Sequence, residues 1–467
     1  MATLIKNGTI VTSADQYKGD VLIDGEKIVA VGKGLEGRAE RTIDAEGKYL
    51  LPGGIDGHTH FHLPFMGTHT AGFETTPAAI VGGTTTIVDF APQPVGLSLL
   101  DSVHKHRAEQ AEGKAAVDYG FHAMVMDPQA RIFDEPSSLV KAGVPTIKLF
   151  MAYKGTPFFS DDATCFQMLQ KTKQVGMLTM FHAENGDVID VLQKQLVAEN
   201  KTEPRYHATS RPPVAEAEAT LKATLLAQAA DAPVFVVHIS CAEAMAAVRD
   251  ARLRGIAAFG ETCPHYLTLG VENLAKPNFE GAKYVCSPPL REPWHQDELW
   301  RALQHGSIQV VGSDHCGFNF KGQKEMGRGD FTKIPNGAPG VESRLAVLYT
   351  YGVLTGKLSL QRFVDVFATA PAKFYGLYPR KGSIILGADA DIVVFDPRYT
   401  GKFGVQTSLQ GIDYNAYEGL EQKGRAETVF LRGQITVEKG KFVGKLGQGK
   451  FIEREPYGLA YGSKPAV

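Results

Sequence analysis

Residues 144–154 read VPTIKLFMAYK. The run is apolar and β-branched, the composition of a strand buried on both faces. Lys148 lies in its middle. A lysine near a strand end can lie along apolar surface and keep its charged head in water. A buried, unpaired ammonium is costly. The surroundings of the strand decide between these.

Seven further runs share its grammar. They lie near GGIDGHTH and over 84–91, 117–125, 176–183, 232–240, 257–265 and 308–315. Helix-like stretches separate them, among them Leu99–Glu112, Thr164–Val175, Glu216–Ala230, Ala242–Arg254 and Gln296–Gln304. Eight apolar strands alternating with helices predict an α/β fold, a (β/α)8 barrel over 54–374. Outside it the grammar is all β. Residues 1–53 carry short strands with turns at Asn7-Gly8 and Asp24-Gly25, and short strands return over 375–442. Both ends are expected to form one small β-sandwich domain, with the barrel inserted between its halves. The weakly periodic residues 443–467 are expected to be an arm that packs on a neighbouring subunit, or to be disordered.

Composition narrows the function. The 467 residues are 43% hydrophobic with a net charge of −2. No run of like charge points to nucleic acid or to an anionic membrane. No stretch has the ~18 apolar residues of a membrane span, and the N-terminus has no secretory apolar core. Five cysteines without a C-x-x-C pair suit a reduced, cytoplasmic protein.

In such a barrel chemistry sits where strands end. Strand one ends in His58 and His60, which point to one side because residues i and i+2 share a face in extended chain. Strand five ends in His182, strand six in His238, strand eight in Asp314, and strand four carries Lys148. Singly each has an ordinary reading: a chance H-x-H pair, a hydrogen-bonded core histidine, a helix cap. Together, four histidines and an aspartate at four strand ends converge on one mouth, the donor set of a metal centre. Burial and nearby cations both favour a neutral lysine amine. A neutral amine can add carbon dioxide to give an anionic carbamate with an oxygen for each of two metals.

The stretches GIDGHTHFHLPFMGT, TIKLFMAYKG, MFHAEN, VVHISCAEAM, ETCPHYL, SPPLRE, GSDHCGF and IPNGAPGVE, with flanks GTIVT and GADADIVVFDP, resemble the dihydropyrimidinase and D-hydantoinase family of the amidohydrolase superfamily. The resemblance spans nearly the whole chain. It implies two zinc ions per subunit, with manganese or cobalt also possible, and a homotetramer. His58 and His60 resemble ligands of the more buried ion, and His182 and His238 ligands of the second. Lys148 would be the carbamylated bridge, and Asp314 both a ligand and the general base. Tyr153 would donate to the oxyanion. Ser287 and Asn336 would hold the imide of the ring, mainly through backbone groups. The implied reaction opens 5,6-dihydropyrimidines (dihydrouracil, dihydrothymine) and 5-substituted hydantoins to N-carbamoyl amino acids by attack of a hydroxide shared by the metals.

Related activities are distinguished in the first loop. Dihydroorotases resemble this pattern but carry an arginine two positions after the second histidine, and allantoinases an asparagine; here the residue is His62. Phe65 and Met66 are expected to wall the ring substituent. A non-enzymatic scaffold like the collapsin response mediator proteins shares the fold but has lost metal ligands. Cys241, Cys263 and Cys316 read as small buried groups, and His265 and His315 as partners that orient ligands. His122 and His207 read as structural, and KGQKEMGR (321–328) as a solvated loop.

Overall fold

The computed structural model describes residues 2–35, 39–128 and 130–457. Eight parallel strands form the central sheet: β1 (Gly54–Thr59), β2 (Thr84–Pro92), β3 (Asp118–Met124), β4 (Thr146–Phe150), β5 (Leu178–His182), β6 (Val234–Val236), β7 (Ala258–Thr262) and β8 (Val310–Val311). They pair in chain order from β1 to β8. A parallel bridge from Thr59 to His315 brings the last edge back to the first. The fold is therefore the expected (β/α)8 barrel.

All the strands but β2 are shorter than their apolar runs. β6 spans three residues where 232–240 is apolar, and β8 two where 308–315 is apolar. His238 and Asp314 have φ of 41° and 47°, in the left-handed region, so the extended backbone breaks at these two site residues. Inside the barrel Ile55, Val88, Met180, Phe235 and Val310 pack with Phe374 and Tyr375. Helices Leu99–His106, Asp162–Gln174, Pro213–Ala230, Ala242–Leu253 and Pro293–His305 cover the outside. No described helix is long and apolar enough to cross a membrane.

The chain ends share a second, nine-stranded sheet. Residues Ile392–Phe395 run antiparallel to Tyr49–Pro52, so the two ends meet in adjacent strands. Ile5, Ile10, Val21, Leu50, Ile392 and Phe430 form its core. Lys381, 1% exposed, joins this sheet to the barrel floor. Its Nζ lies 2.8 Å from Asp118, 2.6 Å from Asp391 and 3.3 Å from Asp389.

Residues 450–455, within the expected C-terminal arm, lie on this chain's own barrel. Tyr119 N donates to Lys450 O and Ile452 N to Tyr119 O. The buried Arg454 guanidinium donates to the carbonyls of Tyr375 and Phe121. The segment adds backbone partners at β3 and fills the barrel floor with Ile452 and Tyr457, a role that weak periodicity does not reveal. Residues 458–467 of the expected arm lie outside the described residues.

Candidate metal centre

The strand ends bring His58, His60 and Asp314 together. One donor atom from each lies within 4.8 Å of the others, and all three residues are buried. His58 Nε2 is 3.2 Å and His60 Nε2 3.5 Å from the Asp314 carboxylate. His182 and His238 extend the cluster: the His58 and His238 ring centres are 5.2 Å apart, and those of His238 and His182 4.5 Å. Lys148 is 1% exposed. Its Nζ sits over Phe90 at 4.7 Å and Phe150 at 5.1 Å from the ring centres.

The electrostatics suit cation binding. Burial pulls His58 and His238 well below the usual imidazole range and lowers His182, so these rings offer lone pairs at neutral pH. Burial alone would raise Asp314, but its contacts with the His58 and His60 imidazoles, including the His60 hydrogen bond, bring it well below the usual carboxylate range. Burial pulls Lys148 down to about 7, against the opposing charges of Asp314 and Glu261. The donor set also passes a stricter test. Among the described residues, His58 Nε2, His60 Nδ1 and His238 Nδ1 are buried without a hydrogen-bond partner. Of these, His58 Nε2 faces the Asp314 carboxylate, and a buried ring nitrogen there is costly unless a cation takes its lone pair.

The cluster opens on a cavity. An inner chamber of about 50 Å³ is lined by His60, Lys148, Tyr153, His182, His238, Ser287, Asp314 and Asn336. An outer one of about 650 Å³ shares Phe65, Tyr153, Phe158 and Asn336 with it and adds Met66 and Arg211. Phe65 lines both chambers and Met66 the outer one. Tyr153 takes a φ of 62°. Burial pushes its hydroxyl up to about 12, despite the nearby Arg211 charge, so it remains a donor at neutral pH. That hydroxyl meets the side chains of Asn336 and Ser287.

The amidohydrolase family profile matches residues 49–436. The D-hydantoinase of Geobacillus stearothermophilus is 47% identical over 100% of this chain and 99% of its own length. That of Streptomyces coelicolor is 48% identical over 97% of this chain and 98% of its own. The chain belongs to the dihydropyrimidinase and D-hydantoinase branch of the amidohydrolase family. Among solved structures, the dihydropyrimidinase of Brevibacillus agri NCHU1002 superposes with a TM-score of 0.96 at 50% identity, over 98% of this chain and 99% of that one. The protein is an enzyme of the cyclic-amide hydrolase class, not the scaffold that the fold also admits.

Several functional contacts lie outside the motif reading. Glu261, within ETCPHYL, sits 2.5 Å from His58 Nδ1. With the proton on Nδ1, this contact fixes Nε2 as the ligand atom. Glu184, within MFHAEN, lies 2.7 Å from His182 Nε2 and accepts from Arg211 at 2.6 Å. Burial would raise Glu184, but Arg211 and the His182 hydrogen bond bring it down to about 2. For Glu184, a carboxylate two residues after the strand-ending His182 was the available signal.

Of the expected orienting histidines, His315 accepts from Gly340 N at 3.2 Å. The ring nitrogens of His265 have no hydrogen-bond partner among the described residues. His122 is structural, bonded to Thr146 and to Gly57 O. His207 bonds Cys286 O and also lines the outer chamber. His62 packs against His69, ring centres 4.8 Å apart and tilted by 35°, and lines neither chamber. One expectation fails outright: Lys324, inside the supposed solvated loop, is 0% exposed.

Proposed function

We propose that this enzyme opens 5,6-dihydropyrimidine and 5-substituted hydantoin rings to N-carbamoyl amino acids at a centre for two divalent cations. His58, His60 and Asp314 would hold one cation, His182 and His238 the other, with the carbamate of Lys148 between them. Zinc fits imidazole and carboxylate donors, as do manganese and cobalt. When bound, such cations supply Lewis acidity and let water lose a proton at neutral pH.

The chain's own groups do the rest. Asp314 takes the proton of the attacking water at its carboxylate and returns it to the leaving ring nitrogen. The Tyr153 hydroxyl donates to the carbonyl oxygen as negative charge develops there. Ser287 and Asn336 hold the imide edge of the ring. Phe65, Met66 and Phe158 shelter the ring substituent and exclude water. The observation that carries this reading is the inner chamber itself, where orphaned imidazoles, a buried amine and the Tyr153–Asn336–Ser287 group line one space.

The test is kcat/KM for dihydrouracil, hydantoin and dihydroorotate on protein reconstituted with zinc and bicarbonate. The expected result is turnover of the first two and little of the third, because among the described residues no arginine lines the inner chamber to hold a carboxylate. Turnover of dihydroorotate alone contradicts the reading. A homotetramer in solution belongs to the same proposal; a monomer by light scattering removes that part.

A further inference from the structure

Lys324 and Gly327 are the buried residues of 321–328. The Lys324 side chain leaves a surface loop and ends between two backbone segments. Its Nζ donates to Val285 O at 2.9 Å and to Pro335 O at 3.0 Å. Among the described residues it pairs with no carboxylate. Val285 O also accepts from Gly337 N at 3.0 Å, so the two segments are tied side by side. Ser287 stands two residues beyond Val285, and Asn336 directly follows Pro335. Both line the inner chamber and meet at the Tyr153 hydroxyl.

A buried amine with only carbonyl partners is a poor stabiliser, since desolvation is offset by dipoles alone. Its placement makes sense as geometry. We propose that Lys324 is a positioning residue for the ring substrate: by tying Val285 to Pro335 it fixes the spacing of Ser287 and Asn336 across the cavity. The proposal rests on the cyclic-amide reading above. It does not depend on protonation, because the neutral amine still has an N–H for each carbonyl. Small displacements of positioning groups have large kinetic consequences.

The test compares wild type, Lys324→Met and, as a buried lysine remote from the cavity, Lys381→Met. All are reconstituted with zinc and bicarbonate. Lys324→Met is expected to keep its metal content and to raise KM for dihydrouracil and hydantoin by about tenfold, with kcat within about threefold of wild type. Folded Lys381→Met is expected to leave KM unchanged. A folded Lys324→Met with wild-type KM overturns the proposal, as does a fall in kcat that tracks lost metal. Amide exchange at Gly337 reports the tie without any activity. Faster exchange in Lys324→Met than in wild type supports it, and unchanged exchange removes it, even if wild type opens neither ring and the functional reading fails. If Lys324→Met does not fold, Lys324→Gln takes its place and the same outcomes decide.

Discussion

Lys148 and Lys381 are each 1% exposed, one at the mouth of the barrel and one at its floor. Burial acts on both, with opposite results. Lys381 is surrounded by Asp391, Asp118 and Asp389, whose charges outweigh desolvation and raise it above the usual lysine range. Lys148 sits over two phenyl rings, and burial brings it down to about 7. The floor lysine is a fixed cation that joins two sheets. The mouth lysine is an amine available for chemistry. Burial therefore does not assign a role to a lysine; its partners do.

The largest effect that could break this contrast is on catalysis. Lys148→Ala should lower kcat/KM by at least about 10³-fold, and short carboxylic acids should restore part of it by replacing the carbamate. A fully active variant would make Lys148 as structural as Lys381. At the floor, Lys381→Met should cost about 3 kcal/mol of stability, because it strands buried carboxylates, while kcat/KM of the folded fraction stays unchanged. Denaturant unfolding alongside kinetics measures both. The sign with pH is fixed. A raised lysine stabilises the fold below the ordinary lysine range and loses that contribution as pH rises through its folded value. The gap between wild type and Lys381→Met should therefore hold across neutral pH and narrow only above about pH 10.

Smaller effects sharpen the mouth. Tyr153→Phe should lower kcat by about 10²-fold with metal content intact. Loss of metal in that variant would move Tyr153 from oxyanion donor to structural support. Glu261→Gln should weaken metal affinity by about tenfold, read by competition with a chelator. Metal loading with bicarbonate should also be more complete at pH 8 than at pH 6. An amine near 7 is mostly neutral at the first and about one-tenth neutral at the second.

Much of the site was legible because each strand of the barrel delivers its last residues to one place. His58, His60, Lys148, His182, His238 and Asp314 could be read as a group before any coordinates, since their positions in apolar runs already imply convergence. The runs overstated β6 and β8, where the extended backbone breaks at His238 and Asp314. The supporting contacts were not legible. Glu261 meets His58 across 203 residues, and Lys324 meets Val285 across 39. No local pattern encodes such pairs. Lys324 looked solvated because its neighbours are polar, and the final segment looked like a loose arm because its pairing with β3 follows no period.

The central claim is that Lys148 becomes an anionic bridge. The most direct measurement is carbon-13 NMR of protein reconstituted with zinc and ¹³C-bicarbonate, with metal counted on the same sample. Two metals per chain and a carbamate carbon resonance that disappears in Lys148→Ala are predicted. Two metals per chain with no such resonance would contradict the account.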